Sequence, residues 1–592
     1  MKTDLERLRR GDLTEEERSE LFTELAASQE ELCFNGLNCA TGRYGIAPVS
    51  GADLMARIRG DRKPDNLEEL QSKATPRALP VAADNDPTRI DQTGWAVIFA
   101  READPAIIEA LEPLLALRRA QAGDLFRMFS GKTGYRAGES KSQFCARFRI
   151  VDGPAEPEQL GYYVLIVGSP EVIPFSFQYQ LDVMRGVGRI FFDTVAEYES
   201  YARSVVAAES GRVRLQRRAV FFGTANPDDQ ATSLSAQYLV SAAYEKLRQR
   251  PTYTRWVYEN DIRRGEKLDW SLESVIGAGA TKAKLAELLG GAQTPALLFT
   301  ATHGAEFPYE DPRQLPHQGA LVCQDWPGPR NFSGPVPQDF YFAGDDLQSS
   351  ARLQGLIGFH FACFGGGTPK FEDFAQKAQH SQRQQIAPQS FVARLPQRML
   401  GHPGGGALAV ISHVERAWAY SFLSPAGVEQ TTVFNRAIAQ LFSGAPVGWA
   451  TESLNLRYAD LAAQLTAVLE NLSFDPQSKG AYELAALWTN HNDARGYAVF
   501  GDPAVRLPFT SEKSDTAQAP RPQVLPAVQT PVPGAAAQAA PAVPAAPAAQ
   551  AAQAAQAAQA AQATQAAQAA QAAQAATAND QAAAPGPPVT AS

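Results

Sequence analysis

Two apolar runs of the sequence end in residue types that can carry out nucleophilic catalysis. The run ALLFTAT (296–302) is followed by His303 and Gly304. The run LIGFHFA (356–362) is followed by Cys363 and, one residue later, by three consecutive glycines. A cysteine thiol is mostly protonated at neutral pH, and a nearby imidazole can remove that proton to form the nucleophilic thiolate. The pattern therefore indicates a histidine–cysteine pair, provided that the two runs are adjacent in the fold.

The residues next to this pair suggest further roles. Glycine at 304 lets the backbone approach a substrate carbonyl, and the N–H groups of Gly304 and Cys363 could hold an oxyanion. One such donor lowers the reaction barrier by roughly 3 kcal/mol. Glu306 could orient His303, although a solvated surface side chain is the alternative. His360 lies three residues before Cys363, so strand alternation places it on the opposite face, where packing is its predicted role.

The elements that must position these residues alternate between strands and helices. Strands without polar alternation, bounded by helical patterns, are typical of parallel sheets covered on both faces. The predicted strands are GWAVIFA (94–100), YYVLIVG (162–168), AVFFG (219–223), WVYEN (256–260), ALLFTATHG (296–304), LIGFHFAC (356–363), GALAVISHV (406–414) and GYAVFGDP (496–503). Helices are predicted over 105–122, 194–209, 234–249, 281–290, 431–443 and 451–472. SPEVIPF, after the second strand, is predicted to be a loop.

The predicted organisation has four parts. Residues 1–90 are helical at first, over Leu5–Ala27, and then irregular. Residues 91–215 form a smaller α/β subdomain, and residues 216–510 form the larger α/β domain that carries His303 and Cys363. Residues 511–592 are Pro-rich and then repeat Ala-Ala-Gln, which is typical of a disordered or partly helical tail. A role for this tail in recruiting a protein partner is the alternative.

Composition excludes several classes of function. The chain has 592 residues, of which 54 are Lys or Arg and 63 are Asp or Glu, so its net charge is −9. A nucleic-acid-binding protein normally carries an excess of positive charge instead. It lacks an apolar run long enough to span a membrane and begins with a charged segment instead of a signal peptide. Five cysteines are too few for a disulfide framework. The sequence predicts a cytoplasmic protein without a metal or another cofactor.

The motifs TATHG and HFACFGGG resemble those of the caspase-like (clan CD) cysteine peptidases. YYVLIVGSPEVIPFSFQYQLDV, GVGRIFFDT and YAVFGDPAVRL are similar to the gingipain-type family, so the resemblance covers about residues 94–508. It implies a caspase-like three-layer α/β fold with a mostly parallel sheet, preceded by a smaller α/β subdomain. It also implies His303 as base and acid, Cys363 as nucleophile and Gly304 as oxyanion donor. Such enzymes work as a dyad, so no third carboxylate is assigned.

The same resemblance directs attention to ISHVERAWAYSF (411–422) as a wall of the substrate pocket. Glu415 could pair with a substrate Arg or Lys, and Trp418 could flank the aliphatic stem of that side chain. Asp373 is the other candidate acid. The alternative is that Glu415 pairs internally with Arg416 and that Trp418 belongs to the core.

These observations predict a cysteine endopeptidase that cleaves a protein or peptide substrate through a thioester acyl-enzyme, with Arg or Lys before the scissile bond as a candidate preference. Two alternatives stay open. One is a catalytically weak or inactive caspase-like scaffold, related to CHAT proteins, that binds partners. The other is a non-peptide acyltransferase or amidase that uses the same dyad.

Overall fold

Ten strands form the central sheet of the computed structural model, which describes residues 31–32, 36–44, 49–50, 85–259, 262–373, 384–424, 429–474 and 481–509. The predicted helix over Leu5–Ala27 and the Ala/Gln tail lie outside these residues. Seven of the ten strands are buried at every residue. In chain order they are β1 Trp95–Phe99, β2 Phe126–Phe129, β3 Tyr163–Val167, β4 Gly186–Ile190, β5 Arg218–Gly223, β6 Ser271–Ile276, β7 Leu297–Ala301, β8 Ile357–Phe361, β9 Ala409–His413 and β10 Tyr497–Gly501.

The strand order across this sheet is β6-β5-β7-β8-β9-β10-β4-β3-β1-β2. All adjacent strands run parallel except β9 and β10, which pair antiparallel from Ala409↔Gly501 to His413↔Tyr497. The sheet therefore consists of two parallel halves that run in opposite directions. The carboxyl ends of β5 to β9 meet at one edge, and the carboxyl end of β10 lies at the other. The prediction of an α/β fold with a mostly parallel sheet is confirmed.

Helices cover both faces of the sheet. In β1, Val97 and Phe99 belong to one apolar cluster with residues of the helices Pro105–Ala122 and Val195–Glu209. Ala96 and Ile98 belong to another cluster, with residues of the helices Lys141–Arg147 and Phe175–Asp182. This is the three-layer packing that a strand buried on both faces requires. The helices are α1 Ile90–Thr93, α2 Pro105–Ala122, α3 Lys141–Arg147, α4 Phe175–Asp182, α5 Val195–Glu209, α6 Gln230–Ser235, α7 Ala242–Arg248, α8 Lys282–Leu288, α9 Gln314–His317, α10 Arg394–Leu400, α11 Thr432–Phe442, α12 Val447–Ala450, α13 Glu452–Phe474 and α14 Ala481–Arg495.

Local sequence signals explain where some of these helices begin. The side chain of Asp104 accepts a hydrogen bond from the N–H of Ala106, and Pro105 occupies the first position of α2, where its missing N–H costs nothing. Between α6 and α7 the chain continues as a π-helical segment, Ala236–Ser241. Among the described helices, none combines the length and apolar character that crossing a bilayer requires.

A small sheet extends from the chain directly after His303. Its strand order is Tyr341–Phe342, Leu321–Val322, Gly304–Glu306, Gly36–Asn38 and Arg43–Tyr44. It encloses its own apolar cluster, which includes Leu37, Ala305 and Trp326. Separately, Thr252–Glu259 and Ile262–Asp269 pair antiparallel outside the central sheet, and the predicted strand WVYEN (256–260) falls in the first of them.

Candidate functional site

His303 and Cys363 follow adjacent parallel strands at equal distances from the last paired residues. Ala301 of β7 pairs with Phe361 of β8, and the N–H of Thr302 then donates to the carbonyl of Phe361 at 3.1 Å. The two backbones stay close beyond that point. A Cβ atom placed on Gly304 would lie 1.8 Å from the carbonyl oxygen of Cys363. Position 304 therefore requires glycine because the two strand ends touch there through their backbones.

The imidazole of His303 is held by a carboxylate that the sequence analysis did not identify. Its Nε2 lies 2.7 Å from Oδ2 of Asp229, and both side chains are fully buried. Asp229 follows β5, the strand on the far side of β7 from Cys363. The hydroxyl of Thr232 donates to the same carboxylate oxygen at 2.5 Å, and the ring of Trp326 packs edge-on against the imidazole. The resemblance assigns no third carboxylate to the pair, whereas here the carboxylate of Asp229 contacts the imidazole.

The contact with Asp229 favours one tautomer of His303. A carboxylate beside Nε2 favours the neutral ring that carries its proton on Nε2, with Nδ1 as the unprotonated nitrogen. Glu306, the residue considered for orienting His303, instead accepts a hydrogen bond from the guanidinium of Arg416 at 2.7 Å. The carboxylate that contacts the imidazole therefore lies 74 residues from His303 in the sequence, and not three.

Cys363 makes its contacts on the opposite side, with the chain that follows β9. Its Sγ accepts from the N–H of Ala417 at 3.2 Å, and the carbonyl of Ala417 lies 3.6 Å from Sγ. Burial raises the pKa of this thiol far above its usual range, against the smaller opposing effects of the Ala417 N–H and the charge of Arg416. The thiol is therefore protonated at neutral pH in this arrangement.

The sulfur of Cys363 and the imidazole of His303 are both closed off from solvent in this conformation. Both His303 and Cys363 have 0% of their surface exposed. The small sheet covers the carboxyl end of β7, and Gly36 pairs with Gly304 within it. The two strand ends thus lie together, as the sequence predicts. The side chains of His303 and Cys363 are buried, and they contact different partners, Asp229 and Ala417 respectively.

A buried acidic cluster surrounds Arg416 beside the thiol. The guanidinium lies 2.7 Å from a carboxylate oxygen of Glu306, 2.7 Å from one of Glu372 and 3.5 Å from one of Glu415. Three carboxylates thus share one cation. Burial, and next the charge of Asp373, raise the pKa of Glu415 well above its ordinary value. Among these four side chains, the acidic groups outnumber the one cation.

The three predicted pocket residues make contacts within the protein. Both carboxylate oxygens of Glu415 accept from the backbone N–H of Asp373, at 3.2 and 3.3 Å. The carboxylate of Asp373 pairs with Arg495 at 2.5 Å. Trp418 is buried, and its backbone N–H donates to Asp493. The internal arrangement that was the alternative, with Glu415 beside Arg416 and Trp418 in the core, is the one present here.

Backbone strain is concentrated at this edge of the sheet. Phe364 and Glu415 adopt positive φ angles of 58° and 66°, which residues other than glycine rarely adopt. They are joined to each other, because the N–H of Phe364 donates to the carbonyl of Glu415 at 2.5 Å. Strained non-glycine residues persist only where the surrounding structure holds them, and they cluster at functional sites. These two flank the nucleophile candidate and its Ala417 partner.

Other predicted features have packing roles. His360 is buried and its Nδ1 lies 2.9 Å from the hydroxyl of Thr300 on β7. Cys145 and Cys323 are also buried. Within the described parts of the chain, no group of three or more histidine, cysteine or acidic side chains is arranged to hold a metal ion.

Matches to known proteins are confined to solved structures. The chain matches no family model. No curated protein matches it either. Among solved structures, three chains match. One of them, named "Structure of Protease", is similar over 72% of this chain and 79% of its own length, at 13% sequence identity and a TM-score of 0.34.

Proposed function

We propose that this protein is a cysteine endopeptidase with a caspase-like fold, in which Cys363 is the nucleophile and His303 the general base and acid. The observation that supports the proposal is the backbone contact between Gly304 and Cys363 at the carboxyl edge of two adjacent parallel strands. Functional groups of α/β sheets collect at such edges. The buried carboxylate of Asp229 adds the group that orients the histidine.

The proposed reaction uses these groups in sequence. Nδ1 of His303 accepts the proton of the Cys363 thiol, and the thiolate attacks the carbonyl carbon of the scissile peptide bond. The backbone N–H groups of Gly304 and Cys363 stabilise the resulting oxyanion. His303 then protonates the leaving amine, and a water molecule, deprotonated by His303, hydrolyses the thioester. Asp229 stabilises the imidazolium that forms in both halves of the reaction.

This reaction requires a rearrangement first, because the thiol and the imidazole are both buried. A substrate reaches Sγ only after the residues that cover the strand ends have moved and the thiol has left Ala417. The proposal therefore includes a closed state, described above, and an open state in which Cys363 and His303 face each other.

We further propose a preference for Arg or Lys before the scissile bond. The cluster of Glu306, Glu372 and Glu415 already accommodates one buried guanidinium, that of Arg416. An acidic substrate side chain would be repelled by this excess of negative charge. In the open state a substrate cation would be held by Glu415 and Asp373, with Trp418 against its aliphatic stem.

The test is cleavage of fluorogenic peptides that end in Arg, Lys or Asp. The chain is compared with Cys363→Ala and with a matched variant, Cys145→Ala, which removes another buried cysteine outside the site. We expect cleavage after Arg or Lys that Cys363→Ala abolishes and Cys145→Ala retains. Equal cleavage by all three proteins would refute the proposal. The proposal would also be refuted if the folded parent chain cleaved none of the peptides even after limited proteolysis intended to activate it.

A second candidate function is an inactive caspase-like scaffold, and the complete burial of His303 and Cys363 favours it. The two functions differ in the reactivity of one sulfur atom. An Arg-peptide with an electrophilic warhead would label Cys363 of a peptidase, and His303→Ala would prevent that labelling. A scaffold would remain unlabelled in both forms, and its partners would include a protein that binds the C-terminal tail.

A further inference from the structure

A cavity of about 470 Å³ lies between the paired strands Thr252–Glu259 and Ile262–Asp269, the residues before α1, and the segment that follows α11. Its volume falls in the range of cavities that bind small molecules. Arg506, which follows β10, lies in its wall. Because β10 is antiparallel to β9, its carboxyl end lies at the edge of the sheet opposite to Cys363. The cavity is therefore separate from the candidate active site.

The wall of this cavity is positively charged. Arg255, Arg263 and Arg506 line it, and Asp86 is the acidic residue among the described lining residues. Although burial opposes ionisation, the hydrogen bonds from Tyr258 and from the N–H and hydroxyl of Thr88 lower the pKa of Asp86, so this carboxylate is charged. Among the described lining residues, three guanidinium groups thus face one carboxylate, an excess of two positive charges.

The guanidinium groups of Arg255 and Arg506 can still bind an anion. Arg506 donates to the backbone carbonyl of Thr88, and within the described residues it forms no ion pair. Arg255 lies 4.0 Å from a carboxylate oxygen of Glu266, which is the limit of an ion pair. Burial lowers the pKa of Arg506, and the charges of Arg118 and then of Arg255 lower it further, against the opposing effects of Tyr163 and Glu209. Arg255 and Arg506 therefore repel each other. An anion between these side chains would relieve the repulsion.

Aromatic side chains complete the wall. Trp256 and Tyr258 are 48% and 37% exposed, which is unusual for such large apolar groups, and Trp449 also lines the cavity. The guanidinium of Arg263 lies 4.5 Å from the centre of the Trp256 ring. Stacking occupies the face of a guanidinium and leaves its N–H edge directed outward, where it can bind an oxyanion.

We propose that this cavity binds a small phosphate monoester that carries a planar ring, the chemical class of the nucleoside monophosphates. A phosphate dianion matches the excess of two positive charges, and a single carboxylate would leave one guanidinium without a partner charge. The planar ring would stack on the exposed Trp256 or Trp449. Nothing in this inference depends on the proposed peptidase activity.

The test is calorimetric titration of the full chain with AMP, adenosine and inorganic phosphate at low ionic strength. We expect AMP to bind at least ten times more tightly than adenosine or phosphate. Arg255→Gln and Trp256→Ala should each weaken AMP binding by tenfold or more. Arg248→Gln, which removes an exposed arginine that pairs with Glu245 on α7, is the matched control and should bind AMP as the parent chain does.

Each other outcome overturns part or all of the proposal. AMP affinity that is equal in all four proteins, or no AMP binding at millimolar concentration, would refute the site. Phosphate that binds as tightly as AMP would refute the ring component, and adenosine that binds as tightly as AMP would refute the anion component. Circular dichroism of each variant establishes that the protein being titrated is folded.

Discussion

Replacing Gly304 with alanine tests the contact on which the candidate site depends. The added Cβ would lie 1.8 Å from the carbonyl oxygen of Cys363, whereas real Cβ atoms almost never approach other atoms within 3.0 Å. The obstacle is backbone, which cannot rotate away as the end of a long side chain can. The two strand ends must therefore separate by more than 1 Å, as follows from the difference between these two distances.

The energetic cost follows from that separation. The hydrogen bond from Thr302 to Phe361, now 3.1 Å long, would stretch beyond useful length, and losing it costs about 1 kcal/mol. Overpacking of a close-packed interior adds about 1–3 kcal/mol. We therefore expect Gly304→Ala to lower the free energy of unfolding by roughly 2–4 kcal/mol.

The assay is urea unfolding followed by tryptophan fluorescence, with Gly279→Ala as the matched control. A Cβ on Gly279 would lie 3.6 Å from a methyl carbon of Val275, which is an ordinary contact. With a slope near 3 kcal/mol per molar urea, the Gly304→Ala midpoint should fall by about 1 M. The Gly279→Ala midpoint should stay within about 0.2 M of the parent value. If the two variants unfold at the same urea concentration, the backbone contact between Gly304 and Cys363 does not exist.

Four further predictions concern charge and titration at the same edge of the sheet. Asp229→Asn should lower kcat/KM by roughly 10² to 10⁴ with little change in KM, because the imidazolium of His303 loses its partner charge. Arg416→Met should destabilise the chain by about 3–5 kcal/mol at pH 8, since three buried acidic side chains lose their shared cation. The loss should be smaller at pH 5, because burial and the charge of Asp373 raise the pKa of Glu415 and favour its neutral form. Thermal melts at both pH values measure the difference. Burial lowers the pKa of His360 from 6.5 to about 4, so on acidification His360 is protonated in the unfolded chain before it is protonated in the folded chain. About 3 kcal/mol of stability is therefore lost as the pH falls from about 6.5 to about 4. His360→Gln should flatten that part of the stability profile. Iodoacetamide at pH 8 should alkylate Cys363 at least about 100 times more slowly in the native chain than in urea, as mass spectrometry of the labelled peptide would record.

Each of these predictions has an outcome that contradicts it. Unchanged turnover in Asp229→Asn would mean that this carboxylate does not act on the reacting imidazole. If the destabilisation of Arg416→Met does not depend on pH, the loss is one of packing and not of charge. A parent profile that is already flat between pH 4 and pH 6.5 would contradict a buried neutral His360. Rapid alkylation in the native chain would show that the closed arrangement of Cys363 is not the populated one.

The strands that carry the site could be predicted because their apolar runs are continuous. The predicted runs at 296–304, 356–363 and 406–414 contain β7, β8 and β9, and the helix predicted over 105–122 matches α2 residue for residue. Other strands lack this signal. β4 contains two glycines and an arginine among its five residues, whereas β6 at the edge of the sheet is exposed or half-buried along its whole length.

Asp229 could not be found from sequence because its role depends entirely on tertiary structure. It lies in the turn TANPDD after β5, and an aspartate in a turn ordinarily serves the turn itself. It reaches His303 only because β5 and β7 are adjacent in the sheet although 74 residues separate the two side chains. The antiparallel contact of β9 with β10 is hidden in the same way, since no local pattern shows that the last strand runs against its neighbour.

The cluster around Arg416 is difficult to explain by stability alone. Burying a guanidinium and three carboxylates costs more desolvation energy than their attraction repays in many proteins, and well-packed apolar residues of similar volume often stabilise more. Within the described part of the chain, three acidic side chains surround the one guanidinium of Arg416. An excess of buried negative charge beside a cysteine is unfavourable for thiolate formation, because Glu306 itself raises the pKa of the thiol. A cation that enters from a substrate would reverse both penalties: it would neutralise the acids and favour the thiolate. Substrate binding and activation of Cys363 would then be a single electrostatic event, and a peptide with a neutral residue in place of Arg should lose kcat as well as affinity.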